Sequence, residues 1–170
     1  FLYTAEISGV LDSADSVQLL GFDACLMSSV ELAYQFRPGN GGFSADYMVA
    51  SAPTETGAGW QYTNILQRLK STTATDNGEN DLTLGGKEKY YDPSTLTAAQ
   101  LGAVIVEEQR DSTVTDSSQS LTCLDLSKAA AVKTAVDALA VSLASKKSEM
   151  ETLRGSEGTV NLLHYFDETD

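Results

Sequence analysis

Short runs of branched and aromatic residues recur along this chain between stretches with helical spacing, and that alternation restricts the folds open to it. Val17-Gln-Leu-Leu-Gly-Phe22, Tyr47-Met-Val-Ala50 and Leu121-Thr-Cys-Leu-Asp125 each read as a buried strand. Apolar residues at helical spacing predict helices over Ala5–Leu11, Ser29–Phe36, Tyr62–Leu69 and Leu96–Arg110. A further long helix is expected through Val132, Val136, Leu139 and Leu143, with Ser127 as its cap. Strands separated by helices in this way predict an α/β fold with a mostly parallel sheet and helices on both faces. Three strands would leave an edge uncovered. Leu162-Leu-His-Tyr-Phe166 also reads as an element cut short. The expectation is therefore that residues 1–170 form part of one domain, incomplete in this chain.

The charge balance narrows the partners. There are 24 acidic residues against 11 basic ones, a formal net charge of −13. Phosphate repulsion would oppose nucleic-acid binding, and the basic clusters Lys87/Lys89 and Lys146/Lys147 are too small to offset it. Basic peptides and divalent cations suit this charge. No apolar run approaches the roughly 20 residues that cross a bilayer, so no membrane partner is expected. No signal peptide is present either, and the chain opens on Phe1 rather than Met, as a processed piece would. Two cysteines do not make a disulfide framework, although one Cys25–Cys123 bridge is conceivable.

Breaker residues mark Arg37–Gly42 and Pro53–Gly59 as loops, and the polar stretch Ser71–Asp92 as a mobile loop or insertion. Within that stretch, Asp76-Asn-Gly-Glu-Asn-Asp81 superficially resembles a calcium loop. It lacks an oxygen ligand at its third position and glycine at its sixth, so it fails as an EF-hand. Zinc, P-loop and dinucleotide patterns are not found.

Chemistry concentrates around Cys25. In parallel sheets, ligands and reacting groups gather at the carboxyl ends of strands, and Cys25 directly follows Val17–Phe22. Ser28 and Glu31 have capping-box spacing, so a helix start beside the thiol is expected, with N–H groups that favour a thiolate. Asp23 and Cys25 would point the same way along an extended segment. A carboxylate beside a thiol disfavours ionisation, which makes more sense if Asp23 grips a cationic substrate group such as a guanidinium. On physical grounds alone, a buried small thiol and a capping aspartate serve as well. Cys123, alternating with Leu121 on a predicted strand, reads as a core thiol.

Leu19-Leu-Gly-Phe-Asp-Ala-Cys-Leu-Met-Ser-Ser-Val-Glu-Leu-Ala-Tyr34 resembles the nucleophile segment of the clostripain family of cysteine peptidases. The resemblance continues in order at Ala45–Ser51, at Glu55-Thr-Gly-Ala-Gly-Trp60 with Tyr62, and at Leu121–Lys128. It implies a caspase-like three-layer sandwich and endopeptidase activity after arginine, or lysine. It places the nucleophile on Cys25 and one acid of the basic-residue pocket on Asp23, and it has Trp60 either lining the substrate groove or anchoring the next helix. It further implies self-cleavage into two associated chains, the partner light chain carrying the catalytic histidine, a secreted or cell-surface location, and calcium in some members.

Two departures stand out. The family's second pocket acid falls on Ala58, with Glu55 nearby to compensate. The family's histidine precedes the cysteine, yet residues 1–24 hold none; His164 comes after it, in the wrong order, and reads as structural. These departures motivate an alternative, a catalytically inactive binding or structural module on the peptidase fold.

Overall fold

A computed structural model describes residues 4–55, 57–70, 94–112 and 120–156. The whole of the expected Ser71–Asp92 loop, with Asp76–Asp81 in it, and His164 lie outside the described residues. The chain divides into two compact units, residues 1–129 and 130–170.

The first unit is built on a sheet of β1 (Val17–Phe22), β2 (Ala45–Ser51) and β3 (Leu121–Asp125), with β2 in the middle. The branched and aromatic runs form the strands where the pattern places them. The central strand is the most deeply buried: Met48, Val49, Ala50 and Ser51 have no exposed surface. Helix α1 (Thr4–Val10) precedes β1, α2 (Val30–Gln35) lies between β1 and β2 in sequence, and α3 (Tyr62–Lys70) and α4 (Ala98–Ser112) lie between β2 and β3.

Successive residues of β2 face opposite sides of the sheet, and two cores follow from that alternation. On one side Met48 and Ala50 pack with Leu32, Ala33, Phe36 and Phe43. The Phe36 ring meets Phe22 at 5.7 Å and Phe43 edge-on at 5.9 Å. On the other side Val49 packs with Trp60, with Ile65 of α3, and with Val104 and Ile105 of α4. The expectation of helices on both faces of an α/β sheet is met.

The expectation of a mostly parallel sheet is not. β1 and β2 run parallel, with Val17 opposite Ala45 and Phe22 opposite Ala50. β2 and β3 run antiparallel, with Ser51 opposite Leu121 and Tyr47 opposite Asp125. The sheet is mixed. Apolar periodicity reports burial, not strand direction. A single crossover helix returns the chain to begin a parallel strand; here both α3 and α4 intervene, and the chain re-enters from the opposite end.

Two predicted caps also move by a residue or two. Ser29, not Ser28, caps α2, its side chain accepting from Leu32 N–H at 3.3 Å. Ser28 instead pairs with Thr122 across 2.9 Å, joining the segment after β1 to β3. Asp125 rather than Ser127 caps the turn at Leu126–Lys128 that leads into α5 (Ala129–Ala144), accepting from Ser127 N–H at 3.0 Å. A carboxylate at the strand end was available two residues before the serine.

The second unit, taken by itself, comprises most of α5 and α6 (Lys147–Ser156). The alanine-rich sequence of α5 suits a helix by propensity. Lys133–Asp137 and Lys147–Glu151 are i,i+4 ion pairs on exposed faces, each worth a few tenths of a kcal/mol, about 0.3–0.5.

Candidate active site

β1 and β2 deliver their carboxyl ends to the same edge of the sheet, and the segments that follow them meet there. After Phe22 the chain turns through Asp23–Met27, and Leu26 adopts φ +63°, a left-handed conformation uncommon for a branched residue. Three backbone bonds hold that turn against the segment after β2: Leu26 N–H to Pro53 C=O, and Met27 and Ser28 N–H to Ser51 C=O, each 2.9 Å. The strained turn is thus tied to a strand end with no exposed surface, which keeps it in place.

This anchoring sets the surroundings of Cys25. Its thiol is free and exposed, and the Glu55 N–H donates to Sγ at 3.1 Å. The expected helix follows within a few residues, α2 beginning at Val30 after its Ser29 cap, but the N–H that reaches the sulfur is not one of its own. A single N–H from the loop after β2 takes that place.

Asp23 turns to the same loop. Its Oδ2 accepts from Trp60 N–H at 3.2 Å and from the Tyr62 hydroxyl at 2.9 Å. Both bonds converge on one oxygen, which leaves Oδ1 unengaged among the described residues. Partial desolvation, then the hydrogen bond to Asp23, then the charges of Asp23 and Glu55 hold the Tyr62 phenol above the usual tyrosine range, although the side chain as a whole is exposed. Asp23 and Glu55 therefore both bear electrostatically on the Tyr62 hydroxyl. The neighbourhood is anionic.

Glu55 itself is half-buried. Its Oε1 accepts from Gln109 Nε2 at 3.4 Å, while Gln109 Oε1 accepts from Gln61 N–H at 3.0 Å. Trp60 is 8% exposed, its side chain in the core with Ile65 and Val104 and its ring against Gly21, where a β-carbon would lie 2.9 Å from Cη2. Its backbone, not its indole, reaches the site.

The structure thus brings Asp23, Cys25 and Glu55 to one loop and turns the Trp60 ring inward. Tyr62 and Gln109 were not singled out as site residues from sequence. For Gln109 a signal existed: it falls four residues after Ile105 on the apolar face of α4, where a polar side chain calls for a buried partner. Cys123 is half-buried against the Val49 core and is not bonded to Cys25. Burial, then the Asp125 charge, push its thiol up. Among the described residues, no three His, Cys, Asp or Glu side chains gather as a metal site.

Cys25 thus presents a free, exposed thiol whose sulfur accepts one backbone N–H, and the loop that supplies that N–H also holds Asp23. The family model described as the clostripain family matches residues 1–170. The chain belongs to the clostripain family. Clostripain of Hathewaya histolytica is 56% identical over 171 residues, which cover 98% of this chain and 32% of that protein. The chain thus spans about a third of the length of that family member. A solved structure described as a B. fragilis cysteine protease is 21% identical, with a TM-score of 0.35 over 49% of this chain and 38% of that one. A likeness of that size leaves the fold description above unchanged.

Proposed function

We propose that this chain carries the nucleophile-bearing part of a cysteine endopeptidase of caspase-like fold that cleaves after arginine or lysine. The observation that carries the reading is the exposed Cys25 sulfur with the Glu55 N–H on it, on the same loop that grips Asp23. The thiolate attacks the scissile carbonyl carbon and forms a thioester, while backbone N–H groups stabilise the oxyanion. A histidine from an upstream segment or a separate light chain protonates the leaving amine, and water then hydrolyses the thioester. Asp23 binds the substrate's guanidinium or ammonium through Oδ1. Glu55 supplies the second negative charge of the pocket in place of Ala58. Self-cleavage and an extracellular site of action complete the reading, both resting on family membership.

An arginyl chloromethyl ketone tests it in the full-length protein. Cys25 is the expected site of labelling, and Cys25→Ala removes the label. Asp23→Asn keeps an oxygen to accept the Trp60 and Tyr62 bonds but loses the charge. Labelling by the arginyl probe should fall about ten- to a hundredfold, the scale of one hydrogen bond to a charged group, with a neutral analogue little changed. Equal labelling of wild type and Asp23→Asn by the arginyl probe would remove the pocket assignment; no labelling of wild-type Cys25 would remove the peptidase.

A further inference from the structure

In the segment that completes the site, residues 55 and 57–61 belong to neither strand nor helix, yet they must present two N–H groups in fixed places, Glu55's to Cys25 Sγ and Trp60's to Asp23. One side chain bonds both ends of it. Gln109 lies on α4, 2% exposed, 48 residues in sequence from Gln61 and 54 from Glu55. Its amide orientation is not ambiguous. The Gln61 N–H can only donate, so Oε1 faces it; among the described contacts, the Glu55 carboxylate accepts from Nε2. The helix bearing Gln109 is in turn fixed to α3 by Arg68, whose guanidinium contacts Glu107 at 2.6 Å and Glu108 at 3.3 Å with all three side chains buried.

We propose that Gln109 is a positioning residue for the nucleophile: its amide clamps Glu55 and Gln61 together so that the Glu55 N–H stays on the Cys25 sulfur. It touches no reacting atom and acts through Glu55. A buried amide suits this role better than a charged group would. It satisfies a donor and an acceptor at once and adds no charge beside the two carboxylates already there. The role rests on the reading of Cys25 as nucleophile given above, and deepens it.

A reciprocal swap in the full-length protein tests the clamp. Gln109→Glu still accepts from Gln61 N–H but sets a carboxylate against Glu55. The double variant Gln109→Glu/Glu55→Gln restores one donor and one acceptor with the partners exchanged. The single variant should lose about tenfold in the rate of Cys25 alkylation by iodoacetamide at neutral pH, the scale of one hydrogen bond to a charged group. It should lose a similar factor in kcat for an arginyl peptide, with KM changed less. The swap should bring alkylation back to within about threefold of wild type. Folding of each variant is read by circular dichroism, and Gln109→Asn, one methylene too short to span both partners, takes the place of Gln109→Glu should that variant not fold. Alkylation and kcat within about twofold of wild type in a folded single variant, or a folded swap that restores nothing, would overturn the clamp. Alkylation needs no substrate. A wild-type protein inert towards arginyl peptides whose variants show the alkylation pattern would remove the peptidase and keep the clamp; arginyl hydrolysis without that pattern would do the reverse.

Discussion

The Asp23 carboxylate fills the space that a side chain at position 59 would need: a β-carbon built on Gly59 lies 2.5 Å from Oδ2. Gly59 also has φ +71°, in the region that favours glycine. Space and backbone conformation agree, and together they let the Trp60 N–H approach Asp23.

Gly59→Ala is accordingly expected to destabilise the protein by about 1–3 kcal/mol, since strain and collision add. Urea unfolding measures this. The displaced Asp23 should also show as a loss of arginyl-probe labelling larger than the loss with a neutral probe. A neutral stability change would mean that the loop approaches Asp23 by another path.

Tyr62 should ionise late. Although Tyr62 is 53% exposed, its phenol is held protonated by partial desolvation and by donation to Asp23, and the two neighbouring carboxylates add to this. The absorbance titration of wild type minus Tyr62→Phe should therefore show a transition above the ordinary tyrosine value of about 10. In an Asp23→Asn background that difference transition should move down, because the hydrogen bond to a charged acceptor and the nearer negative charge both go. A transition that stays put would mean Asp23 does not hold the phenol.

Cys123 and Cys25 should separate by reactivity. Cys25 is exposed and Cys123 half-buried with its thiol favoured over its thiolate. A disulfide reagent at neutral pH should label Cys25 first. The raised Cys123 value also has a stability consequence. Above about pH 8.5 the unfolded chain ionises this thiol while the native one keeps its proton, so stability falls as pH rises through that range. The drop in urea midpoint between pH 7.5 and 9.5 should be smaller in Cys123→Ala than in wild type. Equal drops would show that Cys123 is not the group responsible.

Arg68 joins α3 to α4 through two buried carboxylates, with its own side chain only 7% exposed. Arg68→Met fills much of the volume but leaves Glu107 and Glu108 without that cation. Removing one partner of a buried ionic group costs about 3–5 kcal/mol. A guanidinium chloride series at fixed pH checks this. A loss below about 1 kcal/mol would place the triad with ordinary surface pairs.

Much of this protein was legible in order of residues alone. The strands Val17–Phe22 and Leu121–Asp125 fall where the branched runs predicted, because burial of a pleated strand writes itself into local composition. Ordered segments around Cys25, Glu55–Trp60 and Leu121–Lys128 sufficed to indicate the family, since chemistry at a strand end needs particular residues at fixed spacings. The direction of β3 was not legible, because apolar periodicity is blind to polarity along the chain. Nor was the source of the N–H on the Cys25 sulfur. Local spacing pointed to a helix start, whereas the donor is Glu55, thirty residues away. That contact exists only because β1 and β2 pair in parallel and end together. Gln109 is farther still from the loop it clamps. Hydrogen bonds between distant segments leave no periodic trace, so the fold alone decided which polar groups meet the sulfur.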